Sequence, residues 1–459
     1  MASRRRLTNL LPGTDDLPLI GLSAAERQRL LAAPRPRRSL PLLASSASRA
    51  RGAELLAETR PVDRAARPKH AVWELTLRCD LACRHCGSRA GRARPDELSL
   101  LEALELVAQL AELGVQEVTL IGGEVYLYPG WTEVVRAVRA RGMSCAVVSG
   151  GQGITPAVAR AASEAGVQSL SISIDGAPET HDRLRGKRGA HAQALAALQT
   201  AHALGLAVAV NTQINRLNLA ELAEVAELVL AQGCHGWQMQ LTVPAGRAAD
   251  EPEILLQPYD LLVLFPILAE LETRLSAAGV KFLPGNNIGY FGPDERRFRG
   301  KLRCPSDASC SAGRSLLGIE ANGDVKGCPS LPTRGWVGGN VRDHRLRDIW
   351  ERAQALRYTR DPTPERLWGF CGSCYYAEEC RGGCTWTATT IAGRPGNNPY
   401  CHHRALVGQR EGWRERIVPV APAPGEPFDV ASWQIAREAW PAPAGSSTLE
   451  LSITVTEAP

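Results

Sequence analysis

The sequence predicts an α/β chain: a partial (β/α)6 TIM-like barrel over residues 71–279, followed by a small cysteine-rich α+β domain over residues 304–415. Three observations predict it. Short β-rich runs alternate with Ala/Leu-rich helical stretches in the first region, which implies βαβ units and a parallel sheet. Polar residues share one face of several of those runs, so the sheet has a side meant for a polar ligand. Eleven of the thirteen cysteines fall in metal-ligand spacings, and eight of these lie beyond residue 300.

Strands are predicted at 71–77, 117–121, 144–148, 168–175, 206–213 and 236–242, and helices at 99–113, 131–141, 155–165, 189–204, 219–232 and 258–278. Six units are too few to close an eight-fold barrel. In Leu170-Ser-Ile-Ser-Ile-Asp175, residues Ser171, Ser173 and Asp175 face one way and the aliphatic residues the other. Gln238 and Gln240 oppose Trp237, Met239 and Leu241, and Asn211 shares a face with Gln213. The helix-covered side must be apolar, so the polar stripes point inward, where a filled barrel would be bulky and aliphatic. Ligands in such barrels sit at the C-terminal ends of the strands.

The loop after the first strand is Cys79-Asp-Leu-Ala-Cys83-Arg-His-Cys86. Three thiolates on one short loop can hold three irons of a [4Fe–4S] cluster, which is otherwise held by four cysteines, and leave the fourth iron open. A zinc loop is the plain alternative, but structural zinc takes four ligands, usually as paired Cys-x2–4-Cys. The Cys-x3-Cys-x2-Cys loop resembles the signature of the radical S-adenosylmethionine (SAM) superfamily, in which the open iron chelates SAM and one electron cleaves it to a 5′-deoxyadenosyl radical. Gly122-Gly123-Glu124 at the next strand end resembles that family's GGE motif, with Glu124 accepting from the SAM ammonium. The same resemblance assigns Ser149 and the next backbone groups to SAM. It assigns Ser171, Ser173 and Asp175 to the ribose, and Arg185 to SAM or strand-end positioning. Asn211, Gln238 and Gln240 complete the expected polar lining.

Beyond a bridging segment at 280–303 come Cys304, Cys310 and Cys328, then Cys371, Cys374, Cys380, Cys384 and Cys401. Asn322-Gly323 between alternating runs predicts a type I′ hairpin. The seven cysteines from Cys310 onward, with Gly323, resemble the SPASM domain of peptide-modifying radical SAM enzymes. Cys304 adds an eighth thiolate, as in anaerobic sulfatase-maturing enzymes. Carried over by position, Cys304, Cys310, Cys328 and Cys384 would hold one auxiliary cluster, and Cys371, Cys374, Cys380 and Cys401 a second. Three [4Fe–4S] clusters and SAM are therefore the expected cofactors. One departure stands out: the sulfatase-maturing enzymes carry an Asp base after the cysteine equivalent to Cys328, where this chain has Pro329. Asp307, Asp324 and Tyr290 are substitutes by chain proximity, and Cys234, outside the ligand groups, is a candidate hydrogen-atom donor.

The resemblance, over about residues 71–405, implies a peptide maturase that forms a cross-link or thioether or epimerises a residue. Its expected partners are a peptide or protein substrate and an electron donor such as flavodoxin or ferredoxin. Sulfatase-type Ser/Cys oxidation, small-molecule radical chemistry and a non-catalytic metal module are the alternatives. A net charge of +5 without a concentrated basic face gives no argument for nucleic acid. No apolar stretch is expected to span a bilayer, and the basic start lacks a following apolar segment, so a cytoplasmic protein is expected. Residues 1–70, with a helix at Ser23–Ala33, read as a partly disordered extension or docking arm, and 416–459 as a partly packed tail.

Overall fold

The computed structural model describes residues 23–32, 55–300, 310–361 and 364–440, with the backbone of 454–455. Two short helices come first, α1 (Ala24–Ala32) and α2 (Pro61–Ala65). The barrel follows as β1 (His70–Thr76), α3 (Leu100–Leu113), β2 (Glu117–Gly122), α4 (Trp131–Ala140), β3 (Ser144–Ser149) and α5 (Pro156–Ala165). It continues through β4 (Ser169–Ser173), α6 (Pro178–Arg185), α7 (Ala190–Ala203), β5 (Ala207–Ile214), α8 (Leu222–Ala231), β6 (Gly236–Leu241) and α9 (Leu261–Ala277). Each expected strand and helix of the barrel is present, shifted by a few residues at its ends. Helix starts follow capping chemistry. Ser99 and Glu102 form a reciprocal capping box on α3, and Thr155 accepts from Val158 N ahead of Pro156 on α5.

β1 to β6 pair in sequence order, all parallel. Their helix-facing residues, among them Trp73, Leu120, Val147, Ile172, Val210 and Trp237, are buried in one core with the inner faces of the helices. α9 corrects one expectation. With the turns before it, Pro252–Ala277 is long and apolar enough by composition to cross a membrane. It is a core helix instead: Leu261, Leu264, Phe265, Leu268, Leu271 and Leu275 are buried at the helical repeat.

The second half adds β7 (Lys281–Pro284), α10 (Glu295–Arg299), β8 (Leu316–Ile319), β9 (Asp324–Lys326), β10 (Val337–Asn340) and α11 (Leu346–Arg352). Then come α12 (Ala377–Cys380), α13 (Thr385–Ala392), α14 (His402–Glu411), β11 (Trp413–Ala421), β12 (Ser432–Ala439) and β13 (Thr454–Val455). Three features differ from expectation. The bridging segment contains β7, which extends the barrel sheet alongside β6. On the opposite edge β8 pairs parallel with β1, so the cysteine-bearing hairpin continues the same ten-stranded sheet. The tail, expected to be partly packed and without periodic structure, forms an antiparallel hairpin in which Trp413 pairs with Ala439.

The Asn322-Gly323 hairpin exists, but not as a type I′ turn. Only Gly323 has positive φ, +90°. Gly323 N donates to Glu320 O at 2.9 Å, and Glu320 N to Asp324 O at 2.9 Å. This is a three-residue loop closed by a left-handed glycine, so the register differs by one residue from that of a two-residue turn.

Candidate functional site

Residues at the C-terminal ends of β1 to β6 surround a cavity of about 220 Å³, closed by residues from the cysteine-rich region and the C-terminal hairpin. Cys79, Cys83 and Cys86 lie along one wall. The loop that carries them is tied down by the polypeptide itself. Cys79 N donates to Gly91 O (3.2 Å), Gly91 N to Leu77 O (2.8 Å) and Arg84 N to Leu184 O (2.7 Å). Arg247, a residue sequence reading overlooked, donates Nε to Cys83 O at 2.6 Å and Nη1 to Ala90 O at 3.0 Å, and its backbone N reaches Cys86 O at 3.0 Å. Gly246 permits this approach, because a Cβ there would lie 2.4 Å from Cys86 O. The only available signal was an arginine following a glycine just past a strand end.

Burial pushes the Cys83 thiol up to about 11 and that of Cys79 higher still. At Cys86 burial is outweighed by Arg247 and Ser88, and the thiol lies below its ordinary value. Three soft sulfur donors on a fixed loop, with the cations Arg185 and Arg247 behind them, suit an iron–sulfur cluster better than a lone zinc ion.

Gly122-Gly123-Glu124 lies opposite. A Cβ on Gly122 would sit 2.2 Å from Thr76 O and one on Gly123 1.9 Å from Arg78 O, so both glycines let β2 cross the root of the cysteine loop. Gly123 N and Glu124 N donate to those two carbonyls, each at 2.7 Å. Glu124 is buried; it accepts from Ser149 Oγ at 2.5 Å and Gly150 N at 2.7 Å. Burial raises its carboxyl to about 7 against those two hydrogen bonds. A carboxylate oxygen of Glu124 lies within 4.8 Å of Cys79 Sγ and an Asp80 carboxylate oxygen. The buried carboxylate therefore stands beside the cysteine loop.

The polar stripes divide. Ser173, Gln213 and Gln240 line the cavity, whereas Ser171, Asn211 and Gln238 do not. Each of these three precedes its counterpart by two residues, so it lies roughly 7 Å deeper along the strand. Asp175, expected at the ribose, lies elsewhere than the cavity lining. It is fully buried: Oδ2 is 2.6 Å from Arg185 Nη2 and 3.1 Å from His85 Nε2, and Oδ1 accepts from Gln213 N at 3.0 Å. Despite its burial, Arg185 and His85 hold its carboxyl far below the usual carboxylate range. Arg185 also lines the cavity and places Nη1 3.7 Å from Cys83 Sγ, so this pair braces the cysteine loop. Because a strand's side chains alternate, Asp175 was grouped with Ser173; only the packed fold shows that the loop's own histidine fills its place.

A second overlooked residue, Glu74 on β1, lines the cavity at 2 % exposure. Arg94 Nε is 3.3 Å from its Oε1, while Arg94 Nη2 reaches Glu320 Oε2 at 2.9 Å. Glu320 in turn pairs with buried Lys326 at 2.7 Å. This buried chain of charges joins the barrel to the β8–β9 hairpin. Phe428, from the C-terminal hairpin, enters the same cavity with φ +55° and lies 4.0 Å under Lys326 Nζ.

The remaining cysteines form two groups. Burial, with the neighbouring Cys310, pushes the thiols of Cys328 and Cys384 up, and burial, with the neighbouring Cys371 and Cys374, pushes those of Cys380 and Cys401 up. The second four also line one small cavity walled by Phe291, Phe370 and Tyr376. The second group offers four thiols, as a four-thiolate cluster requires, and the first offers three, with Cys304 and Asp307 outside the described residues. Three candidate catalytic residues do not line this cavity. Cys234 is packed in the hydrophobic core, its thiol raised by burial to about 11. Tyr290 is buried under Arg299, 4.2 Å from its ring, with its hydroxyl on Asn286 Oδ1 at 2.5 Å. Asp324 is likewise absent from the lining, bonded to Asn322 and Asn340.

The radical SAM superfamily model matches residues 73–229, and the SPASM iron–sulfur cluster-binding domain matches 310–375. The chain is 30% identical over 358 residues to the AdoMet-dependent heme synthase of Methanosarcina barkeri, covering 73% of this chain and 97% of that one. It is 32% identical over 336 residues to the mycofactocin maturase MftC of Mycobacterium tuberculosis, covering 72% and 82%. In fold it matches Streptococcus suis SuiB bound to its precursor peptide SuiA, with a TM-score of 0.57 at 17% identity over 73% of this chain and 76% of that one.

Proposed function

This chain belongs to the radical SAM superfamily and carries a SPASM domain, and from that premise we propose that it modifies a side chain or backbone carbon of a ribosomally made peptide. The reading takes three [4Fe–4S] clusters, SAM, a flavodoxin or ferredoxin as electron donor, and a cytoplasmic setting. When bound and reduced, the cluster at Cys79, Cys83 and Cys86 supplies one electron that splits SAM into methionine and a hydrogen-abstracting 5′-deoxyadenosyl radical.

The chain's own residues do the rest. Glu124 accepts from the SAM ammonium and remains fixed by Ser149 and Gly150. Arg185 and Arg247 hold the loop. Ile121, Val148, Val243 and Phe428 supply the apolar part of the lining and keep bulk solvent away from the reacting atoms.

The relatives divide between a heme synthase and peptide maturases, and the cavity's charge favours a peptide. Its two lining arginines, Arg185 and Arg247, are both committed to the cysteine loop. A tetrapyrrole with several carboxylates would find no free cation among the described lining residues. The decisive experiment is anaerobic turnover with short peptides encoded beside the gene, read by mass spectrometry, with a tetrapyrrole dicarboxylate in parallel. A mass change in the tetrapyrrole and in none of the peptides would sink the reading.

A further inference from the structure

The cysteine loop has an outer face as well as an inner one. Cys79 and Leu81, which line the inner cavity, also floor an open cleft of about 440 Å³ on the outside. The wall between solvent and the SAM side is therefore one loop thick at this point. Asp80, Arg92, Gly186 and Lys187 form much of the cleft's remaining lining. The two cations sit on backbone tied to the loop: Arg92 follows Gly91, bonded to Leu77 and Cys79, and Lys187 follows Gly186 at the end of α6, where Arg84 N and Ala82 N donate to Leu184 and Arg185.

Arg78 and Arg188, neighbours in sequence of Cys79 and Lys187, are exposed like Arg92 and Lys187. None of the four cations has a side-chain partner among the described residues. Of the exposed arginines elsewhere, some are paired, as Arg342 is with Glu102 and Arg345 with Glu112, and others, such as Arg64, Arg141 and Arg160, are not; Arg92 and Lys187 differ in lining the outer face of the cysteine loop. The one acid of the cleft, Asp80, accepts from Tyr126 Oη at 2.7 Å. Arg92 and Lys187, which line one opening with a single acid, raise the local potential and steer an anionic partner there.

We propose that this cleft is the docking face for a one-electron carrier protein whose redox centre lies within an acidic surface. The inference rests on the radical SAM reading, which requires an outside reductant. In the step it serves, the carrier's reduced centre loses one electron and the cluster held by Cys79, Cys83 and Cys86 gains it, with no atom transferred. The other cysteine-lined opening suits such a partner less well. There, Cys374 and Cys380 are flanked by the exposed acids Glu378 and Glu379, which repel an acidic carrier.

The test uses the reconstituted full chain and an acidic bacterial flavodoxin as probe. Calorimetry at low and high salt reads its binding, and 5′-deoxyadenosine formation is followed with reduced flavodoxin or with dithionite. Arg92→Glu/Lys187→Glu is expected to lose at least about tenfold in flavodoxin affinity and flavodoxin-driven rate, with the dithionite-driven rate unchanged. Arg92→Lys/Lys187→Arg is expected to retain both, and wild-type affinity to fall with salt. Unchanged flavodoxin binding in the reversal variant would overturn the proposal, as would an equal loss with dithionite. So would loss of flavodoxin-driven turnover in Glu378→Lys/Glu379→Lys but not in the Arg92/Lys187 reversal. Failure of the wild type to cleave SAM with dithionite would instead overturn the radical SAM reading, a separate result.

Discussion

The loop at Cys79–Cys86 and the cysteine groups after residue 310 both gather thiols, but they are built differently. The first is a continuous stretch of eight residues whose carbonyls and amides are engaged by Arg247, Gly91 and the end of α6. The second set spans from Cys310 to Cys401, with Cys371–Cys380 on short turns and the one-turn helix α12. In the barrel the polypeptide shapes the site and the metal completes it. In the SPASM region a bound cluster would also act as a staple, because short turns between distant cysteines supply little cooperative structure of their own. A site that has to keep one iron open for SAM gains from a rigid frame, whereas a fully ligated cluster can help to shape its own.

That contrast can be broken most forcefully by removing ligands from each side. Cys79→Ala/Cys83→Ala/Cys86→Ala is expected to reduce 5′-deoxyadenosine formation to background while circular dichroism and the melting temperature stay close to wild type. A collapse of the barrel in this variant would show that the loop, too, is metal-built. Cys371→Ala/Cys374→Ala is expected to lose about four of roughly twelve irons and to lower the unfolding temperature of the C-terminal region. It should keep part of its SAM cleavage and make no modified peptide. Normal product formation by a folded double variant would leave the second group with a structural role alone.

Arg247→Ala probes the polypeptide frame without touching a ligand. Losing charged donors to two loop carbonyls is expected to cost about 3 kcal/mol, read as a lower melting temperature and faster iron release to a chelator. If iron release were unchanged, the frame would not control the cluster. The smallest effect belongs to Glu124→Gln, which keeps the shape and, above the value of about 7 to which burial raises the carboxyl, removes a negative charge. SAM affinity should fall about tenfold, the equivalent of roughly 1.4 kcal/mol, with the cluster's absorption spectrum intact. Equal affinity measured by equilibrium dialysis would remove Glu124 from the SAM site.

The sequence by itself determined whatever is encoded locally. Alternating β-rich and helical runs located β1 to β6 and their helices, because period-2 and period-3.6 burial are properties of each segment alone. The cysteine loop and Gly122-Gly123-Glu124 were legible for the same reason: ligand spacing and close backbone approach are short-range constraints. Tertiary structure decided the long-range partnerships. No spacing shows that β8 lies beside β1, or that Glu74 meets Arg94 and, through it, Glu320 across that seam. Strand alternation placed Asp175 on the ligand face, but the packed loop brought His85 and Arg185 to it first. A tail rich in proline and alanine carried no periodic signal, yet it forms a hairpin that delivers Phe428 to the cavity. The physical reason is that a side chain's direction follows from its neighbours in sequence, whereas what it meets depends on distant segments packing to satisfy buried charge and exclude water.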